Sequence, residues 1–268
     1  MDTGRKPFIY VSLFGRIGNN LFQLATAASL ARRYDCKWVA VPDPDYTLPE
    51  EGTLYGYLQQ FKSSLLRNVC IREGIPLYDK VYNEPAEGYA DIPWSANMLL
   101  YGYFQSEKYF DKDHVHELFA IDPATHKRLT DAYGDVLVLR PVSLNVRRGD
   151  YLAQEAHHPV CTKEYFDMAI GCMGRDRHYL ITSDDLDWCK ENFVGENFHF
   201  ARHSNPVDDL YLQTLCADHI ISNSSFSWWG AWLAPNPNKR VIAPSLWYGP
   251  RYTYLDTKDL IPYEWETI

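Results

Sequence analysis

The chain of 268 residues has no basic excess, no long apolar run and no paired-cysteine spacing, and each absence removes a class of function. Its formal charge is −9, with acids spread over both halves, whereas nucleic-acid and anionic-membrane surfaces need a basic face. Any anion it binds must be held locally. No segment reaches the roughly 20 apolar residues of a membrane-spanning helix, and Met1 to Pro7 leads into an apolar run too short for a signal peptide. The reading is a cytoplasmic protein, with peripheral membrane association the one membrane role left open. The six cysteines show no C-x-x-C spacing and the nine histidines no H-E-x-x-H. No metal and no disulfide framework is expected, and the thiols should be reduced and mostly buried. A Walker lysine is also missing, and Gly15-Arg16-Ile17-Gly18-Asn19-Asn20 is not G-x-G-x-x-G, which argues against triphosphate hydrolysis and dinucleotide binding.

What is present is an alternation of strand and helix patterns. Phe8 to Leu13 reads as a strand ending in the glycine-bracketed turn Gly15 to Gly18. A helix capped by Asn19 or Asn20 follows, with Leu21, Leu24, Ala25, Ala28 and Ala31 on one buried face, and then a strand over Lys37 to Val41. Residues 43–88 give no firm periodicity. Met98 to Phe104 reads as a strand and Lys112 to Phe119 as a helix, with Asp122-Pro123 and Tyr133-Gly134-Asp135 as punctuation. The second half alternates again: strands over 142–146, 179–182, 198–200, 219–221 and 240–243, helices near 163–172, after Asp184, and over 207–217 and 227–233. Such alternation predicts α/β architecture with parallel sheets whose ligand crevice lies at the strands' carboxyl ends. The boundary between halves is placed near 134–141, giving lobes of 1–135 and 136–268.

Three polar turns fall at strand ends. Asn145-Val146-Arg147-Arg148-Gly149-Asp150-Tyr151 puts two guanidiniums and a carboxylate after an apolar run. Neighbouring strand residues point to opposite faces, so one arginine can face a cleft while the other anchors the loop. A guanidinium fork matches phosphate geometry, which makes this a candidate anion site; a structural Arg–Asp pair is the alternative reading. Ser222 to Ser225 opens a helix directly after a strand, and helix starts attract anions through free N–H groups. Plain serine capping, with Trp228, Trp229 and Trp232 as core, explains the same letters. Asp209 can serve the helix dipole or accept a guanine's paired donors, and Asp184 and Asp185 are caps or cleft residues.

Four segments taken together carry a resemblance. Residues 15–25, G-R-I-G-N-N-L-F-Q-L-A, look like G-G-L-G-N-Q-M-F-Q-Y-A, and 102–110 are similar to G-Y-[FW]-Q-S-E-K-Y-F. Residues 145–151 resemble H-V-R-R-G-D-Y, and 224–233 repeat S-S-F-S-W-W-G-A-W-L. In this order they resemble the α-1,2-fucosyltransferases of glycosyltransferase family 11. Departures are Asn145 in place of histidine, and Asn20 and Leu24 where Gln and Tyr are usual.

The resemblance implies a GT-B-like fold of two Rossmann-like domains facing a central cleft, an acceptor-side N-terminal lobe and a nucleotide-sugar-binding C-terminal lobe. It also implies GDP-L-fucose as donor, a galactose-terminated glycan as acceptor, inversion at the anomeric carbon, and neither metal nor other cofactor. Arg147 would neutralise the β-phosphate. Ser224, Ser225 and Phe226 would add donors to the phosphates, Asp209 would read guanine, and Asn145, Asp184, Gly18 and Asn19 would complete the donor site. By comparison with the related α-1,6-fucosyltransferases, Glu155 falls where a carboxylate follows the arginine motif and is the candidate base, with Asp150 its rival. Transfer of another GDP- or UDP-linked sugar, or a catalytically silent glycan- or nucleotide-binding role, remains open at this point.

Overall fold

The computed structural model describes residues 6–48, 52–86, 88–202 and 205–268. Two compact units share the chain, one of Met1–Ala120 with Leu255–Leu260 and one of Ile121–Tyr254 with Ile261–Ile268.

The first unit runs β1 (Phe8–Leu13), α1 (Ile17–Arg33), β2 (Lys37–Pro42), the antiparallel pair β3 (Thr47–Leu48) and β4 (Gly52–Thr53), α2 (Leu54–Gln59), β5 (Lys80–Asn83), β6 (Met98–Tyr101) and α3 (Lys112–Leu118). Its sheet has the order β2-β1-β6-β5 with every pair parallel, so the chain reverses direction across the sheet at β1 and β6. Ile9, Val11 and Leu13 are fully buried, as the alternation of a strand against a core demands.

Helix α1 begins at Ile17, ahead of both asparagines expected as caps. Arg16 is its cap residue, and the Tyr57 hydroxyl satisfies the Ile17 N–H at 3.2 Å. The asparagines are thereby released for other bonds. Burial also extends beyond one face, because Asn20, Gln23, Thr26 and Ser29 form a buried polar stripe at three-residue spacing. Asn20 donates to the Phe14 carbonyl at 3.0 Å, Gln23 donates to the Gly102 carbonyl at 3.2 Å, and Ser29 Oγ accepts the Asp111 N–H at 2.9 Å. The stripe therefore fastens the ends of β1 and β6 and the start of α3.

Strand β6 stops at Tyr101 rather than continuing to Phe104. Phe104 takes a φ of +54°, and its N–H is claimed at 2.7 Å by the carboxylate of Glu84, which burial holds above the usual carboxylate range. A side chain at Gly102 would overlap Glu84, so this turn needs a glycine.

The second unit runs α4 (Pro123–Leu137), β7 (Val142–Val146), α5 (Lys163–Met173), β8 (Tyr179–Ser183), α6 (Leu186–Asn192), β9 (Phe198–Phe200), α7 (Pro206–Thr214), β10 (Asp218–Ile220), α8 (Ser225–Trp232), β11 (Val241–Ala243) and β12 (Glu266–Thr267). Residues 133–135, expected as punctuation, lie inside α4, whose start is fixed by Asp122 accepting from Thr125 and by Pro123 in the first turn. A glycine in a helix costs only about 1 kcal/mol, too little to break one that is capped and docked. By compactness the units divide ahead of α4, between Ala120 and Ile121.

The sheet order is β12-β11-β10-β7-β8-β9, entirely parallel. Chain direction reverses between β7 and β10, the position at which open α/β sheets leave a crevice at their carboxyl ends. Under one face Val142, Leu144, Val146, Ile181, Ile220 and Ile242 pack against Phe166, Ala169 and Ile170 of α5. Trp228, Trp229 and Trp232 of α8 are all buried. Among the cysteines, Cys161, Cys189 and Cys216 are buried, Cys36 is half-buried, and Cys70 and Cys172 are exposed, so burial is less general than expected. Among the described residues no helix is long and apolar enough to cross a membrane.

His219, in the middle of β10, is fully buried, and neither ring nitrogen has a hydrogen-bond partner among the described residues. Burial, reinforced by the Lys239 charge, lowers its pKa to about 3. The unfolded chain takes up this proton near pH 6.5 and the folded chain does not, so stability is constant above that pH and falls as pH drops below it. Between pH 7 and 5 the loss from this group should be about 2 kcal/mol. Urea unfolding at pH 7 and 5 should show His219→Leu losing less stability than wild type; equal losses would refute this.

Candidate active site

The carboxyl end of β7 is knotted to its neighbours on both sides. Toward β10, Ser222 Oγ donates to the Asn145 carbonyl at 2.8 Å and accepts the Arg147 N–H at 3.1 Å, so one hydroxyl stitches the two strand ends across the reversal point. Toward β8, the Asn145 amide donates to Thr182 Oγ1 at 3.0 Å. Asn145 is buried and engaged within the sheet. Beyond these bonds the chain leaves the sheet and turns through residues 149–153.

Arg147 leaves the knot with its guanidinium between two carboxylates. Nη1 lies 2.8 Å from Asp184 Oδ2 and Nη2 bonds Asp150. Its Cζ lies over the Tyr151 ring, 5.0 Å from the centroid. Two ion pairs and a ring fix the direction of a side chain that would otherwise be flexible, and a guanidinium has five N–H donors, so others remain for an anion. Burial raises the Tyr151 hydroxyl to about 12, and it stays protonated and donates to the Asn223 carbonyl at 3.2 Å.

Arg148 takes the opposite direction. Its Nε bonds Asp185 at 3.0 Å and its guanidinium stacks 4.2 Å from the Trp188 ring centroid, while its N–H donates to Asp184 Oδ1 at 2.9 Å. Its side chain ties the turn to the first residues of α6 and their cap. Asp184 thus binds Arg147 through one oxygen and the Arg148 backbone through the other. A Cβ on Gly149 would stand 2.5 Å from Asp184 Oδ2, so glycine is required for the carboxylate to reach both.

The serine turn lies beside this knot. Ser224 is the N-cap of α8, yet its hydroxyl makes no capping bond; its carbonyl accepts from Trp228 N–H and Ser227 Oγ. Ser225 and Phe226 are half-buried in the helix's first turn. Asp209 is buried in the first turn of α7, where its carbonyl accepts from Gln213. Gln213 in turn packs against Gly230 of α8, where a Cβ would lie 2.6 Å from its Oε1. Neighbouring Asp208 pairs with Arg128 of α4.

Glu155 lies on the exposed loop after the Gly149–Ala153 turn, and Asp150 is committed to Arg147. Gly18 and Asn19 belong to the first unit, in the opening turn of α1, where Asn19 Oδ1 accepts from Gln105 at 2.9 Å. Burial also holds His158 below the usual histidine pKa and lifts Cys161 to about 11. Sequence reading passed over Thr182 and Gly249, and took Asn223 only as part of the Ser222 to Ser225 turn. Gly249 carried a signal of its own, in the turn-forming Gly249-Pro250 pair.

Ser222→Ala leaves the part-buried Arg147 N–H and the buried Asn145 carbonyl without this partner, a loss of about 1–3 kcal/mol. Urea denaturation should show it; an unchanged midpoint and slope would remove Ser222 from the knot.

The sequence model of glycosyl transferase family 11 matches residues 8–268. Relatives include the O-antigen biosynthesis glycosyltransferase WbnK of Escherichia coli, 25% identical over 90% of this chain and 95% of its own. An alpha-1,2-colitosyltransferase of Escherichia coli is 32% identical over 62% of this chain and 61% of its own. Galactoside alpha-(1,2)-fucosyltransferase 1 of Leontocebus fuscicollis is 27% identical over 82% of this chain and 64% of its own. Among solved structures, the fucosyltransferase NodZ from Bradyrhizobium superposes with a TM-score of 0.57 at 15% identity, covering 90% of this chain and 96% of NodZ. The family match over nearly the whole chain and the shared architecture make this protein a glycosyltransferase of family 11 with the GT-B-like α/β fold of the fucosyltransferases.

Proposed function

We propose that the chain is an inverting, metal-independent α-1,2-fucosyltransferase that moves L-fucose from GDP-fucose to the 2-hydroxyl of a terminal β-galactoside. The observation that carries this reading is the oriented Arg147 guanidinium at the reversal point of the second sheet, beside the serine-rich start of α8. NodZ, which shares the fold, has been crystallised with GDP and soaked with GDP-fucose, which supports a nucleotide-sugar donor.

In the proposed step the acceptor's 2-hydroxyl oxygen bonds to the fucose anomeric carbon as that carbon's bond to the β-phosphate oxygen breaks. The electron pair stays on the phosphate, and Arg147 meets the negative charge as it grows, the role a divalent cation plays elsewhere. Preorganisation by Asp184 and Asp150 means the guanidinium need not reorient. Ser224, Ser225 and Phe226 present hydroxyl or backbone donors to the phosphates, and Asp209 reads guanine. The acceptor proton passes to Glu155, since the Asp150 carboxylate is held by Arg147.

A second reading, transfer of colitose, is favoured by the 32% identity to the colitosyltransferase. Colitose is fucose without its 3-hydroxyl, so the two donors differ by one polar contact. A pocket that bonds that hydroxyl would reject the deoxy sugar strongly.

Incubation with GDP-fucose, GDP-colitose and a panel of β-galactosides, with linkage analysis, tests both readings. An α-1,2-fucosylated product formed equally well in EDTA is expected; product from GDP-colitose alone would replace fucose, and no product from any GDP-sugar would refute both. Arg147→Ala should lose about 1.5–3 kcal/mol of GDP affinity, roughly 10- to 150-fold, with turnover nearly abolished. Near-normal turnover would contradict the phosphate role.

A further inference from the structure

Gly249 has a backbone that does not need glycine. Its φ of −78° and ψ of 178° are extended values open to any residue. What it needs is space: a Cβ there would stand 2.6 Å from the Ala156 carbonyl oxygen and 2.7 Å from that of Glu155. Ordinary contact begins near 3.4 Å, and both obstacles are backbone, which cannot rotate away.

The close approach forms part of a clamp on the loop that carries Glu155. Gly249 N–H donates to the His157 carbonyl at 2.8 Å, and Arg251 N–H donates to the Ala156 carbonyl at 2.9 Å. The Asn223 amide holds both strands of the clamp, donating to Pro159 O at 2.9 Å and to Trp247 O at 3.0 Å. Tyr252 contacts the rings of His157 and His158 at centroid distances of 5.0 and 5.6 Å. His158 stacks on Tyr151 at 4.8 Å, and Tyr151 underlies Arg147. A continuous set of contacts therefore runs from Gly249, through the loop of Glu155, to the guanidinium.

We propose that Gly249 is a positioning residue for sugar transfer: its missing side chain lets the 248–252 segment close on the loop and sets the height of Glu155 relative to Arg147. The proposal rests on the transferase reading and on Glu155 as proton acceptor. A methyl at Gly249 must lift the loop by roughly 0.8 Å, and misplacement on the 1 Å scale costs up to about 100-fold in rate. Arg147 has independent anchors in Asp184 and Ser222, so the anion site should survive the shift.

Gly249→Ala should therefore lower kcat about 10- to 100-fold while GDP affinity, by titration, changes less than twofold. Combined with Glu155→Gln it should cost no more than Glu155→Gln alone, because a misplaced base and an absent one are equivalent. An unchanged kcat, or losses that multiply in the double variant, would overturn the proposal. If Gly249→Ala fails to fold, Tyr252→Leu removes the ring contacts without touching the backbone and should show the same split between kcat and GDP affinity. Hydrogen exchange reads the clamp without any sugar donor: the Gly249 and Arg251 amides should be protected in the native protein, and rapid exchange at both would also overturn it. Wild-type enzyme that binds no GDP and transfers nothing would sink the functional reading instead, leaving the exchange result to judge the clamp.

Discussion

The second unit's site depends on one carboxylate. Asp184 pairs with the Arg147 guanidinium through one oxygen and accepts the Arg148 N–H through the other, at 2.8 and 2.9 Å. Side chain and backbone of successive residues are thereby tied to the end of β8, and the turn between them can take only one course. Gly149 is small because that carboxylate occupies the space its side chain would fill. Arg148, sent the other way, spends its charge on Asp185 and its flat face on Trp188.

What surrounds this ion pair follows from sheet topology. Where the strand order reverses, an open parallel sheet leaves a crevice outside its carboxyl ends, and the polar turns after β7 and β10 meet there. The Ser222 hydroxyl closes the gap by serving both the Asn145 carbonyl and the Arg147 N–H. Helix α8 starts three residues later, and its tryptophans lock it to the core. An anion at this point would meet a fixed cation and a helix start, held in place by buried residues that need not move. The first unit shows the same economy of means: the stripe of Asn20, Gln23 and Ser29 on α1 joins the ends of β1 and β6 to the start of α3.

Much of this was legible from residue order, and the boundary of legibility is physical. Strands β1, β2 and β7 are apolar runs whose burial is local information, and the place of Arg147 just beyond a strand end follows from the same run. The cap of α1 was misplaced because its first N–H is satisfied by Tyr57, forty residues away in the chain. The end of β6 was misplaced because Glu84, in a stretch without periodicity, claims the Phe104 N–H. Helix α4 hid behind Tyr133-Gly134-Asp135, where a weak local preference yielded to capping and packing. Asp184 could be read as a cap or a cleft residue, but its two contacts to the arginine pair could not, since nothing in a sequence records which oxygen faces which donor. Asn145, the departure from the family's histidine, proved to be a sheet residue bonded to Thr182.

The role of Asp184 can be tested by a sign. A carboxylate beside an anion site repels the anion, so if Asp184 acted only by charge, Asp184→Asn would bind GDP more tightly. If instead it aims the Arg147 guanidinium, the asparagine keeps an acceptor for the Arg148 N–H but turns a neutral amide toward Arg147. Calorimetric titration of GDP into Asp184→Asn should then show affinity falling about tenfold or more, the value of roughly 1.4 kcal/mol expected for one charge-assisted bond. Equal or tighter binding would contradict the claim that this ion pair organises the site.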